Sequence, residues 1–310
     1  DYSTGAEAFL LEPQSTNLVT YSEDFTQWNN GATYVTSNYS ISPDGTQNAS
    51  RCLFTGANQL INISTSVSVG VECTASVYIR GTQGETILMA VGGVDSIHTL
   101  NGNWQRIQAT KTSINSSMLI GTYVGVTARD IEIWGAQLEQ QTYATSYIPS
   151  NGSQTTRNQE TCSNATPEIN SEEGTLYAEI SALANDGTFR QLTISDGSGS
   201  NRVSIDFTST DNQIRSFSSS GGGTVANMTG SVSNANQFNK VAVKYKLNDY
   251  ALWVNGIEVA TDTIANAPIG LSELSFDNGS GSNDFFGNTK GLKYYPKALS
   301  DAELIKLTTI

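Results

Sequence analysis

Asp130-Ile131-Glu132-Ile133-Trp134-Gly135-Ala136-Gln137-Leu138-Glu139 is the run that decides the fold, with Tyr143-Ala144-Thr145-Ser146-Tyr147-Ile148-Pro149 and Thr156-Arg157 behind it. Ile131 and Ile133 alternate with Glu132 and Trp134, which is the two-residue period of a half-buried strand. Gly135 inside such a run predicts a bulge or a close backbone neighbour. Pro149 has no N–H to give a ladder, so strand pairing should stop before it. Between Ser150 and Gln159 the chain is Asn, Gly, Ser, Gln and Thr with one Arg, a composition that cannot bury a core and reads as a surface connection. The stretch therefore closes one domain and leads into another.

Working outward, short strand-like runs recur with turns between them and no helical period. Before the closing run they are Ala49 to Phe54, Gln59 to Ile63, Glu72 to Arg80, Thr86 to Val91, Trp104 to Lys111 and Met118 to Val124. In the clearest of them Cys73, Ala75, Val77 and Ile79 alternate with Thr74, Ser76, Tyr78 and Arg80. Leu10-Leu11 runs into Pro13, so a short strand ends there, and Ser42-Pro43-Asp44-Gly45 is a turn. After the link, strands are expected around Leu176 to Ile180 and at Arg190 to Ser195, Arg202 to Phe207, Gln213 to Ser218, Lys240 to Leu247, Tyr250 to Val254 and Ile257 to Thr261. Asn255-Gly256 joins the last two as a two-residue hairpin. Ser219-Ser220-Gly221-Gly222-Gly223 is a flexible tip, since it lacks the Lys and following helix of a phosphate loop. One helix is expected at the end, capped by Ser300 with Glu303 completing a capping box and Asp301 in the first turn. The pattern is all-β: two tandem antiparallel β-sandwiches of jelly-roll type and a short C-terminal helix. The expected domains are 1–150 and 167–310, with 151–166 as linker or first strand of the second.

Composition excludes several functions. The 310 residues carry a formal charge of -13, with 15% charged and 37% hydrophobic residues. An acidic surface repels phosphate backbones and acidic lipid, so no nucleic-acid partner is expected. No apolar run approaches the ~20 residues needed to span a bilayer, so no membrane insertion is expected. Asp1 does not look like a native start, and the chain reads as a piece of something longer. Cys52, Cys73 and Cys162 are an odd, widely spaced set without a CxxC pair. That favours free thiols over a disulfide scaffold or zinc site, with a Cys52–Cys73 bridge as the alternative. Sequons such as Asn62-Ile63-Ser64 are expected by chance in a chain this rich in Asn, Ser and Thr.

Residues 10 to 150 resemble the N-terminal jelly-roll module of bacteriophage tail and head fibre proteins. The pieces that carry the resemblance are Leu11-Glu12-Pro13-Gln14-Ser15-Thr16-Asn17-Leu18, Tyr21-Ser22-Glu23-Asp24-Phe25, Asn103-Trp104-Gln105-Arg106, Trp134 to Glu139 and Thr145-Ser146-Tyr147-Ile148-Pro149. That module is in turn similar to the carbohydrate-binding jelly rolls attached to xylanases. Residues 167 to 310 resemble the concanavalin A-like, laminin G-like sandwich through Glu173-Gly174-Thr175-Leu176-Tyr177, Lys240-Val241-Ala242-Val243, Leu252-Trp253-Val254-Asn255-Gly256 and Leu299 to Leu304. Together the resemblances imply a protein of the virion surface, a fibre or decoration module that adheres to host cell-surface glycan and meets other virion proteins. They also imply a homo-oligomer, most often a trimer, in the full-length protein. No heptad run is present, so the oligomerising power is expected upstream of Asp1. The rival readings are a structural spacer that binds other virion proteins, and the accessory binding region of a secreted glycan-active enzyme.

Chemistry is sparse. His98 is the one histidine, and no nucleophile motif surrounds it. A glycosidase needs two carboxyl groups ~5–9 Å apart; Asp130 and Glu132 have a compatible spacing on a strand, but they lie in the first module, where the family has no hydrolase site. Glu179 stands without a close partner on its strand. The protein is therefore expected not to be an enzyme and to need no cofactor. In the xylanase-type modules a Glu after the opening Phe and an Asp in the closing motif help hold calcium. Here Thr26 and Trp134-Gly135 stand instead, so that site is expected to be lost. Asp277, Asn283 and Asp284 are weak candidates for an oxygen-rich cation site. Sugar binding needs exposed rings beside polar groups, and the candidates are Tyr34 and Tyr39 in one polar stretch and Phe285 and Phe286 in another. Trp28, Trp104, Trp134 and Trp253 are read as core or edge anchors.

Overall fold

The alternation of the sequence folds into antiparallel sheets almost throughout, with one α-helix, in a computed structural model that describes residues 8–31, 33–163 and 165–310. The chain forms two compact units, one of Gln14–Asn158 and one of residues 8–13 with Gln159–Ile310.

In the Gln14–Asn158 unit, a five-stranded sheet has the order Tyr34–Ser40, Ala49–Phe54, Arg129–Glu139, Glu72–Arg80, Gln105–Thr112. A four-stranded sheet has the order Leu60–Ser64, Ser117–Gly121, Thr86–Val91, Val94–Thr99. The core between them takes Cys73, Ala75, Val77 and Ile79 from one strand and Ile131 and Ile133 from another, as the two-residue period requires. Cys52 and Cys73 are both free thiols buried in this core, and Cys162 is a half-buried free thiol of the other unit. The register of Arg129–Glu139 on Glu72–Arg80 slips between Trp134 and Gln137. Gly135 sits there at φ 66, and a Cβ on it would meet the rings of Tyr147 and Tyr78 at 3.3 Å. The glycine is thus both the bulge and the close approach that its position predicts. A two-stranded ribbon pairs Ser15–Asn17 with Thr155–Arg157 and ties the two ends of the unit together.

In the other unit, a six-stranded sheet runs Phe9–Leu11, Gly287–Tyr295, Glu173–Ala182, Asn239–Lys246, Tyr250–Val254, Ile257–Asp262. A five-stranded sheet runs Gly223–Ser231, Gln213–Ser220, Arg202–Phe207, Arg190–Ser195, Glu273–Ser275. Asn255 and Gly256 both have positive φ (50° and 85°), the geometry of the tight hairpin expected there. Gly221 and Gly222 likewise turn one strand into the next, so the glycine-rich tip is a hairpin. The helix spans Asp301–Thr308, and Glu303 accepts from the Ser300 N–H and hydroxyl, both at 2.8 Å. Its Leu304 packs on Tyr177, Ala242 and Trp253 of the sheet.

One strand is not where tandem domains would put it. Phe9–Leu11, expected with the first sandwich, pairs as Phe9↔Thr289, Leu10↔Asn288 and Leu11↔Gly287 at the edge of the second. Leu11 is 4% exposed and belongs to the second core. Removing apolar surface from water is non-directional, so sequence adjacency to the first module does not decide which core takes this side chain. The segment 151–166 is also divided, because Thr155–Arg157 pairs within the first sandwich.

Candidate functional site: an aromatic cleft on the first sandwich

The Tyr34–Ser40 strand is an edge strand whose register starts regularly. Val35 lies opposite Cys52 and packs on the core, and Thr36 lies opposite Arg51. The next pairing is Ser40 with Ala49, so two residues are in excess on the edge strand, and Asn38 takes φ 51 among them. Asn reaches that left-handed region more easily than most residues. The consequence is that the chain leaves the edge and crosses the outer face of the sheet. The Ser40 hydroxyl donates to Glu132 on the central strand. The Trp104 indole, beside the opposite edge strand, donates to the Ile41 carbonyl at 3.2 Å. The Ser42–Thr46 turn closes the crossing, with Asp44 accepting from the Ser42 hydroxyl at 2.6 Å and the Thr46 N–H at 2.7 Å. The Ser42 hydrogen bond, then that of Thr46, hold the Asp44 carboxyl down at about 2.

Beside this crossing lies an open cleft of about 480 Å³ lined by Tyr39, Arg80, Thr82, Gln83, Asp130 and Glu132. Its chemistry is one motif twice over. The Arg51 guanidinium lies 5.2 Å from the Tyr39 ring centroid and binds Asp130 with two hydrogen bonds, of 2.7 and 2.6 Å. The Arg80 guanidinium lies 5.1 Å from the Trp104 ring centroid and binds Glu132 at 2.5 Å. Asp130 and Glu132 reach the same outer face because Ile131 and Ile133, between and after them, turn inward and are buried. The Arg51 hydrogen bonds hold the Asp130 carboxyl below the usual carboxylate range, so it is ionised at neutral pH and accepts rather than donates. An exposed ring face beside fixed planar donors and acceptors is what a pyranose requires: its C–H face stacks and its hydroxyls take hydrogen bonds.

Of the residues read from the sequence as sugar-binding, Tyr39 is in this cleft, 47% exposed. Tyr34 is exposed on the same strand, opposite Leu53, and does not line it. Phe285 is a correction: it is fully buried in the second core, with its ring 6.0 Å from that of Phe276, so no sugar reaches it. Phe286 beside it is half-buried. Asp277, Asn283 and Asp284 do share one loop, but two of them are in structural use. Asp277 accepts from Ser275 and from the Gly279 N–H, and the Asn283 carbonyl accepts from the Gln191 N–H. Burial, then the neighbouring Asp277, push the Asp284 carboxyl up. Among the described residues no group of three or more His, Cys, Asp and Glu is placed to hold a metal ion. His98 is half-buried, and burial, then Lys111, lower its pKa. Trp28, Trp134 and Trp253 are buried, while Trp104 is half-buried, lies under the Arg80 guanidinium and does not line the cleft. Sequence reading missed Arg51 and Arg80, while Trp104 is the edge anchor it was read as. The available sign was the pair Asp130 and Glu132 at i and i+2, but the arginines that meet them come from other strands.

Residues 150–305, half of the chain, match the model of the concanavalin A-like lectin/glucanases superfamily in its laminin G form. The chain belongs to this superfamily. The match falls on the second sandwich, where the sequence resemblance placed it. No curated protein sequence matches the chain. Solved structures similar to this superfamily member include the leech intramolecular trans-sialidase complexed with 2,7-anhydro-Neu5Ac, at 19% identity and TM-score 0.39, covering 48% of this chain and 26% of that one. The mouse laminin α1 chain domains LG4-5 are similar at 11% identity and TM-score 0.32, over 81% of this chain and 93% of theirs. Sheep galectin-11 in complex with glycerol is similar at 9% identity and TM-score 0.31, over 44% of this chain and 96% of its own. The chain thus spans about a quarter of the trans-sialidase.

Proposed function

We propose that this chain is a non-enzymatic glycan-binding module, that its ligand site is the Tyr39 cleft, and that it serves on a bacteriophage fibre, attaching the virion surface to host-cell glycan. The observation that carries the reading is the half-exposed Tyr39 ring set beside Arg51, Asp130, Arg80 and Glu132 in one open cleft. The superfamily of the second sandwich, described as one of lectins and glucanases, supports a carbohydrate ligand. The fibre assignment, its virion partners and a trimeric full-length form rest on the sequence resemblance of residues 10 to 150. The non-enzymatic reading is supported by the pairing of both cleft carboxylates with arginines, Asp130 with Arg51 and Glu132 with Arg80, and it rests otherwise on the sequence.

A glycan array and a host-cell binding assay with the whole chain test this. Tyr39→Ala should weaken the bound glycan about tenfold, the equivalent of ~1.4 kcal/mol, without moving the melting temperature, because an exposed edge ring adds little to the core. No reducing ends should be released from any polysaccharide that binds. Binding that Tyr39→Ala leaves intact places the ligand elsewhere. A chain that binds neither hosts nor their polysaccharides is a spacer.

A further inference from the structure

Resting on that reading, we infer that the Tyr39 cleft takes an uncharged oligosaccharide across two adjacent sugar residues and turns acidic glycans away. The first half of the inference comes from the repetition. Ring, guanidinium and carboxylate occur in the same order twice, as Tyr39–Arg51–Asp130 and Trp104–Arg80–Glu132, and of these Tyr39, Asp130, Arg80 and Glu132 line the cleft. The two carboxylates are two residues apart on one extended strand, which separates them by ~7 Å, so neighbouring sugars of one chain can each meet one of them. In each set one carboxylate pairs with the guanidinium that lies over the ring, so the polar groups are held before any sugar arrives.

The second half comes from charge. Arg51 and Arg80 are the cations at the cleft, and each already has its carboxylate, at 2.6 and 2.5 Å. A uronate or sialate carboxylate entering the cleft would find no unneutralised guanidinium and would lie against Asp130 and Glu132, in a chain of net charge -13. Bringing an unpaired charge out of water against like charge is costly. Hydroxyl groups meet no such penalty, since they both donate and accept and can use the oxygen lone pairs and N–H groups that the ion pairs leave over. Thr82 and Gln83 add neutral partners at the rim.

The test measures binding of the whole chain to neutral hexose oligosaccharides of one, two and three residues, and to matched oligosaccharides of hexuronic acid. The variants are Tyr39→Ala and Asp130→Asn. The neutral series should bind in a Tyr39-dependent way, about tenfold tighter for two residues than for one and with little further gain at three. High salt should leave that binding almost unchanged. Asp130→Asn releases Arg51 and should create salt-sensitive binding to the uronic series. Tyr39-dependent binding of the acidic series by the unaltered chain, weakened by salt, overturns the inference while leaving the glycan reading standing. Neutral binding as tight for one residue as for two overturns the two-residue site. If no oligosaccharide binds, or Tyr39→Ala binds as well as the unaltered chain, the reading itself fails and this inference falls with it.

Discussion

Glu139 shows how a single side chain can close a sandwich. It is fully buried and accepts hydrogen bonds from the Ser15 hydroxyl at 2.5 Å, the Thr145 hydroxyl at 2.6 Å, the Gln141 amide at 2.9 Å and the Thr145 N–H at 3.0 Å. It thereby joins the start of the unit, the closing strand and the exit segment. Glu139→Ala leaves several buried donors without an acceptor and should cost about 3 kcal/mol. Thermal unfolding of the first sandwich should register it as a fall of several degrees, with Glu139→Gln intermediate. A second residue-scale expectation concerns acid. Glu303, held down to about 2 chiefly by the Ser300 N–H and then by the Lys297 and Ser300 side chains, has a folded pKa below its unfolded one. Its contribution to the helix is therefore fully present above pH ~4.3 and is lost as the pH falls through the folded value. Carboxyl NMR titration should find Glu303 ionised at pH 3, and a midpoint near 4.3 would show that the capping box does not form. Residue identity in the sequence conveyed the capping box fully, because all its partners lie within four positions. It misplaced Phe285, because burial of an aromatic beside Asn and Asp depends on which core the loop folds against.

Strands were legible wherever a two-residue period met a local turn. Ala49–Phe54, Glu72–Arg80, Thr86–Val91, Arg190–Ser195, Arg202–Phe207 and Tyr250–Val254 have the bounds read from sequence. Val94–Thr99 and Gly287–Tyr295 were not read, the first being a polar edge strand and the second rich in Gly, Asn and Lys. The Tyr34–Ser40 strand was seen only as a polar stretch with two tyrosines. What makes it a site is the two-residue excess at Asn38, which sends Ser40 and Ile41 over to Glu132 and Trp104; no local pattern encodes where a bulged strand lands. The membership of Phe9–Leu11 is equally non-local and carries its own prediction. Leu11→Ala removes a buried leucine from an edge strand of only three residue pairs, at a cost of about 2–5 kcal/mol. In a two-transition melt the second sandwich should soften and the first should not. Equal loss in both would mean that Leu11 serves the first core.

At the scale of the molecule, the nesting of one unit inside the other's sequence and the charge of -13 set how copies meet. Like charge opposes association at low salt, and the described residues include no long apolar helix of the kind that drives a coiled coil. This chain should be monomeric at micromolar concentration by light scattering coupled to size exclusion, and a salt-resistant trimer would show that the sandwiches themselves carry the interface. The edge strand has one more consequence, a mechanical one. Tension applied between Phe9 and Ile310 enters and leaves through the same sandwich, because both residues belong to it. The rungs from Phe9–Leu11 to Gly287–Thr289 bear the load first. The first sandwich, its ends stapled by Ser15–Asn17 on Thr155–Arg157 and by the Thr16–Thr156 hydroxyl contact at 2.8 Å, is a side branch off the line of force. Stretching the chain along that line leaves the Tyr39 cleft slack until those three rungs part, so they act as a fuse placed ahead of the grip.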